Sequence, residues 1–157
     1  MKLGEQIAQE ALTWLGTPYI SGARVKGVGT DCANLLVGIS EQLKITKVGQ
    51  VRIPQHSNEW HLHKNKELFL QNIKLYCDEV EDLQIGDFLL YKYGRVASHG
   101  AVYVGDNHVV HAKIQDGVIL TDMKDVMFYT KSGKSRLIGI YRVNSDKIKK
   151  VVRKWDF

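Results

Sequence analysis

A chain of 157 residues that is 44% hydrophobic and carries only two prolines has the size and composition of one domain able to bury a core. It contains no run of roughly 18 apolar residues, which argues against a membrane-spanning helix. Its formal charge of +5 comes mostly from Lys147, Lys149, Lys150, Arg153 and Lys154 near the C-terminus, opposed between Lys147 and Phe157 only by Asp156.

Lys2, Glu5, Gln6, Gln9 and Glu10 interrupt the start of the chain, so no signal peptide is expected in it. The two cysteines, Cys32 and Cys77, match neither the CxxC pairs of a zinc site nor a disulfide framework. Neither a metal nor a cofactor is expected, and each thiol is judged by its own surroundings.

From Glu5 to Leu15 the apolar positions Ile7, Ala8, Ala11, Leu12 and Leu15 share a helical face, with stop signals at Gly16 and Pro18. A glycine-rich loop follows, with Gly22, Gly27 and Gly29 ahead of Thr30. Asp31 is suited to capping a second helix, whose buried face would hold Leu35, Leu36, Ile39 and Leu43 and whose first turn would hold Cys32. Ser57 to Tyr76 reads as a third helix with Leu68, Phe69 and Ile73 inward and with His61 and His63 at its surface.

After Asp82 the pattern turns to strands: Asp87–Tyr93, Ser98–Val104, His108–Lys113, Gly117–Thr121 and Leu137–Val143. Helices first and an antiparallel sheet second define an α+β domain over residues 1–144. Residues 145–157 form a basic tail, expected to be a solvated helix end rather than a nucleic-acid contact.

A nucleophilic thiol needs help to ionise, and the unpaired amides and positive dipole end of a helix start provide it. Cys32 has that position, whereas Cys77 reads as packing. The base must come from a histidine, and His99 and His111 stand in neighbouring strands. A three-residue loop at Gly105–Asp106–Asn107 would pair Ala101 with His111. The two histidines would then be diagonal neighbours on one face, roughly 7–8 Å apart at the backbone. A two-residue loop would put them on opposite faces. In the favourable register Cys32 attacks a carbonyl carbon, His99 takes and returns its proton, and His111 orients His99. Asp87 reads as a turn residue bonding nearby backbone.

The run Trp14-Leu15-Gly16-Thr17-Pro18-Tyr19, then Asp31-Cys32-Ala33-Asn34-Leu35, Ile85-Gly86-Asp87, Ser98-His99-Gly100 through Gly105, and Val110-His111-Ala112 resembles the NlpC family of papain-like cell-wall peptidases, block by block and in family order. The resemblance implies a papain-like fold, with Cys32 as nucleophile, His99 as base and His111 as third polar residue. It also implies that Tyr19 lines the site and that Asp31 helps to hold the substrate. The implied partners are peptidoglycan stem peptides, cut between γ-linked D-glutamate and a diamino acid. Ala33-Asn34 departs from the Ser-Gly that many members carry after the cysteine.

The Gly-Thr-Pro-Tyr opening and the long loop before Cys32 resemble small phage-tail and gene-transfer-particle members. That resemblance implies tail-protein partners and carriage to the wall by a tail; with no signal peptide expected, synthesis in the cytoplasm fits equally an antibacterial wall-degrading toxin delivered by a secretion apparatus. Two alternatives keep the fold: an amidase or acyltransferase acting on another amide or lipid, and a non-enzymatic wall-binding or virion module.

Overall fold

The computed structural model describes residues 1–52, 69–94 and 96–155. In chain order these form α1 (Leu3–Leu12), β1 (Arg24–Val25), β2 (Gly29–Thr30), α2 (Cys32–Gln42) and α3, described over 69–76. There follow β3 (Cys77–Val80), β4 (Phe88–Tyr93), β5 (Val96–Gly105), β6 (His108–Lys113), β7 (Gly117–Asp122), β8 (Leu137–Val143) and α4 (Ser145–Trp155). The five strands expected after Asp82 are all present, within one or two residues at each end. Of the expected third helix, the part before residue 69, with His61, His63 and Leu68, lies outside the described residues.

The main sheet has the order β3-β8-β4-β5-β6-β7 and is antiparallel throughout. Because side chains alternate along a strand, β4, β5, β6 and β8 each feed two cores. Phe88, Leu90, Val102, Val110 and Ala112 meet Ile7 and Ala11 of α1, Leu35, Leu36 and Ile39 of α2, and Phe69 and Ile73 of α3. Leu89, Tyr91, Ala101 and Val109 point the other way and pack with Phe128, from a short 3-10 turn at Val126–Phe128.

Two differences from the sequence reading concern the ends of helices. Helix α1 stops at Leu12, so Leu12 and Leu15 are exposed and Trp14 turns inward instead. The Trp14 indole N–H donates to Glu10 Oε2 at 3.0 Å, and Lys26 reaches the same carboxylate at 2.6 Å. The basic tail is not free of contacts. Asn144 caps α4, accepting from the Asp146 amide at 2.8 Å. Ile148 and Val151 pack on the helix-side core, and Lys147 Nζ donates to the Cys77 carbonyl at 2.8 Å and pairs with Asp78 at 3.0 Å. A further strand, β3, was not expected. It pairs with β8, more than sixty residues later, so nothing local announces it.

The Gly86-Asp87 pair fastens α1 to the sheet. Gly86 has φ +94°, and a Cβ there would lie 2.2 Å from the Gly4 carbonyl oxygen. Asp87 does accept from nearby backbone, the Gln84 amide at 2.7 Å, but it also receives Arg142 of β8 through two N–H groups at 2.9 Å each. Fork-on-carboxylate pairing of this kind is directional as well as ionic. Gly86→Ala is expected to destabilise the fold by about 2–4 kcal/mol, combining left-handed strain with overpacking against α1. Urea unfolding followed by circular dichroism measures this.

Candidate active site

The site begins with the cap of α2. Asp31 Oδ1 accepts the Asn34 amide at 2.8 Å, and Oδ2 accepts the Gly22 amide from the glycine loop at 2.7 Å. Asn34 Nδ2 donates to both oxygens at 3.0 Å, while Asn34 Oδ1 accepts Arg24 Nε at 2.9 Å. Arg24 then pairs with Glu41 at 2.5 Å. The Asn34 side chain that departs from the family's Ser-Gly is therefore a buried link between cap, loop and helix body.

Cys32 occupies the first turn of α2 and is partly exposed, as a reacting thiol must be. The Pro18–Ile20 segment runs beside Thr30, with the Thr30 amide donating to the Pro18 carbonyl and the Ile20 amide to the Thr30 carbonyl, both at 3.0 Å. This lays Tyr19 alongside the start of α2. Burial raises the Tyr19 phenol pKa, and the negative charges of Cys32 and Asp31 raise it further. Cys77, in contrast, is buried, and desolvation pushes its thiol up to about 12, as suits a packing residue.

The histidines come from the β5–β6 hairpin. Its turn is the two-residue Asp106–Asn107, both at positive φ (51° and 60°), with Gly105 facing His108. The three-residue loop of the sequence reading is not what forms. A bulge between Tyr103 and Gly105 nevertheless absorbs one residue of β5, so Tyr103 faces Val109 and Val102 faces Val110. His99 and His111 thereby share a face, with His99 Nε2 and His111 Nδ1 2.8 Å apart and their rings edge to face. The other nitrogen of His111, Nε2, lies 2.8 Å from Thr121 Oγ1 on β7.

The pair sits in an aromatic surround. Tyr93 meets His99 edge-on at 5.9 Å, Tyr91 lies at 6.4 Å, and Phe128 stands 5.4 Å from His111. Burial, and after it the adjacent His111 ring, holds His99 well below the usual imidazole range. Burial, and after it Lys113, does the same for His111.

Helix α2 packs on both β5 and β6. A Cβ on Gly100 would stand 2.8 Å from Leu36 Cδ1, so the absence of one lets α2 approach β5 beside His99. Leu36 is one helical turn after Cys32. The structure thus brings Cys32, Tyr19 and Asp31 together at the start of α2 and pairs His99 with His111 on the strands beneath. Thr121 and Arg24 were not singled out from sequence, and Asn34 was noted only as a departure from the family pattern. Thr121 had one available signal, a hydroxyl on the strand after His111 and two places from its cross-strand partner Ile119.

A partly exposed thiol in the first turn of a helix, packed on an antiparallel sheet that displays a histidine pair, is the arrangement of the papain-like class. The NlpC/P60 family model matches residues 16–142, and the chain belongs to that family. It is 30% identical over 133 residues to the murein DD-endopeptidase MepS/murein LD-carboxypeptidase of Escherichia coli (strain K12), covering 85% of this chain and 62% of that protein. It is 27% identical over 146 residues to the gamma-DL-glutamyl hydrolase of Bacillus subtilis (strain 168), covering 90% of this chain and 30% of that protein. The NlpC/p60 domain of the peptidoglycan hydrolase SagA superposes with a TM-score of 0.58 at 20% identity, covering 90% of this chain and all of that one. RipD from Mycobacterium tuberculosis, described as a non-catalytic NlpC/p60 domain protein, gives 0.54 at 16% identity, covering 92% and 98%. The chain spans between 22% and 65% of the length of the curated relatives it matches.

The buried imidazoles couple folding to pH. Their folded-state pKa values lie below the unfolded value of about 6.5, so as pH falls the unfolded chain takes up protons first. Their contribution to stability is complete above that value and drains away as pH drops towards the lowered ones. The thermal midpoint is expected to fall between pH 7 and pH 5, with a smaller fall in His99→Gln; differential scanning calorimetry across that range checks it.

Proposed function

We propose that the chain is a cysteine endopeptidase that hydrolyses peptidoglycan stem peptides at the bond between γ-linked D-glutamate and a diamino acid. The observation that carries this reading is the 2.8 Å contact between His99 and His111, formed on the strands against which the cysteine-bearing helix packs. Because a fold-mate is described as non-catalytic, fold alone does not argue for chemistry; this residue set does. The curated names of two relatives, a gamma-DL-glutamyl hydrolase and a murein endopeptidase, support the substrate class.

In this reading the start of α2 favours the Cys32 thiolate. Nε2 of His99 is engaged by His111, which leaves Nδ1 to take the thiol proton. The sulfur adds to the amide carbonyl carbon, and amides at the start of α2 stabilise the oxyanion. The C–N bond breaks as His99 returns the proton to the leaving amine, and water then releases the acyl group from sulfur by the reverse sequence. Tyr19 lines the approach to the sulfur. Asp31 holds the glycine loop against the helix and offers the substrate the lone pairs that its internal bonds leave. Carriage to the wall by a phage tail or similar particle rests only on the Gly-Thr-Pro-Tyr opening and the long loop before Cys32.

Mass spectrometry of purified muropeptides after digestion is the test. New fragments should end in D-glutamate, and Cys32→Ala and His99→Ala should each lower the rate by roughly three orders of magnitude or more. Full activity in Cys32→Ala would remove the mechanism. Labelling of Cys32 by a thiol probe while all stem peptides stay intact would assign the same machinery to another amide or acyl substrate.

A further inference from the structure

Building on the peptidase reading, we propose that Thr121 is a positioning residue whose hydroxyl oxygen accepts the Nε2–H of His111 and so keeps His111 Nδ1 as the acceptor that His99 requires. His111 is fully buried, and both its nitrogens meet protein groups at 2.8 Å: His99 Nε2 on one side and Thr121 Oγ1 on the other.

A neutral imidazole has one N–H and one lone pair, so this chain of three groups has two directions. In the first, His99 Nε2–H donates to His111 Nδ1 and His111 Nε2–H donates to Thr121 Oγ1, leaving the His99 Nδ1 lone pair bare. In the second, Thr121 donates to His111 Nε2 and His111 Nδ1–H donates to His99 Nε2, which leaves the proton on His99 Nδ1. Only the first direction leaves His99 a bare nitrogen able to take the thiol proton in the proposed reaction.

The proton transfer makes the requirement stricter. When the Cys32 S–H bond breaks and an N–H bond forms at His99 Nδ1, His99 becomes an imidazolium with both nitrogens protonated. Its Nε2 must then donate, so His111 Nδ1 must accept and the remaining proton of His111 must sit on Nε2. Thr121 Oγ1 is the acceptor that stands there.

The fold fixes that oxygen in place. Register sets His111 opposite Ile119 and Thr121 opposite Val109, so Thr121 is the diagonal neighbour of His111 on the same face. Thr121 is itself buried, and Phe128 packs against the His111 ring. Valine has the same branched shape and lacks the acceptor.

The test compares wild type, Thr121→Val and Thr121→Ser in the full chain, using muropeptide hydrolysis kinetics and 15N-resolved histidine NMR of the protein without substrate. Thr121→Val should lower kcat roughly ten- to hundredfold with little change in KM, the range found when a partner that orients a functional histidine is lost. Thr121→Ser should restore most of it. His111 should carry its proton on Nε2 in wild type and Thr121→Ser, and shift towards Nδ1 in Thr121→Val. If the valine variant does not fold, Thr121→Ala takes its place. Unchanged kcat and tautomer in the variant, or a wild-type His111 protonated at Nδ1, would overturn the proposal. If wild type cleaves no stem peptide, the peptidase reading fails and the tautomer comparison alone decides the role of Thr121.

Discussion

The hydrogen bond between His99 and His111 depends on one extra residue in β5. Carried down the strands unchanged, the pairing of Gly105 with His108 would send the two rings to opposite faces, because a one-residue slip reverses every side chain. The bulge beside the turn takes up that residue and restores the register before the strands reach the histidines. Burial supplies the restoring force. His111 has no exposed surface, and in the slipped register both its nitrogens would lose their partners within the protein.

The helix that carries the thiol is positioned by a separate set of bonds. Asp31, Asn34, Arg24 and Glu41 form a continuous chain from the cap of α2 to its last turn and include the glycine loop through the Gly22 amide. Removing any inner member would leave buried polar atoms without partners, which is why Ala33-Asn34 is not a neutral replacement for Ser-Gly. Gly100 joins the two assemblies: it lets α2 settle on β5 next to His99. Cys32 and His99 are thus each held by their own element, and the packing of α2 on β5 sets the separation between them.

Local chemistry in the sequence announced most of this. Asp31 ahead of an apolar helical face placed Cys32 in a first turn, and strand alternation with Gly, Asp and Asn turns placed the five strands after Asp82. What stayed hidden depends on distant partners. Strand β3 exists because β8 covers it, and Asp87 is more than a turn residue because Arg142 arrives from the same β8. The hairpin was legible in its outcome but not in its route. Gly105-Asp106-Asn107 fits a three-residue loop as readily as a two-residue turn with a bulge, and only packing of the histidine face decides between them. Trp14 stays in phase with Ile7 and Ala11 on the buried face, and Glu10, itself paired with Lys26, holds its indole N–H there just past the end of α1.

If His99 acts as the proposed base, the character of the residue behind it changes what the pair can do. A carboxylate behind a catalytic histidine stabilises its positive charge as well as its orientation. His111 carries no such charge, and its own burial lowers its tendency to gain one. Burial and the neighbouring ring both oppose a cation on His99, so in the proposed reaction a charge formed there would be stabilised through hydrogen-bond direction instead of ionic attraction. On that proposal the reactivity of the sulfur would come chiefly from the start of α2, where unpaired amides favour an anion without requiring a resting imidazolium. In such a site the placement of protons along His99, His111 and Thr121 would matter more than it would beside a carboxylate, because among the described residues no carboxylate bonds either ring to correct a wrong tautomer.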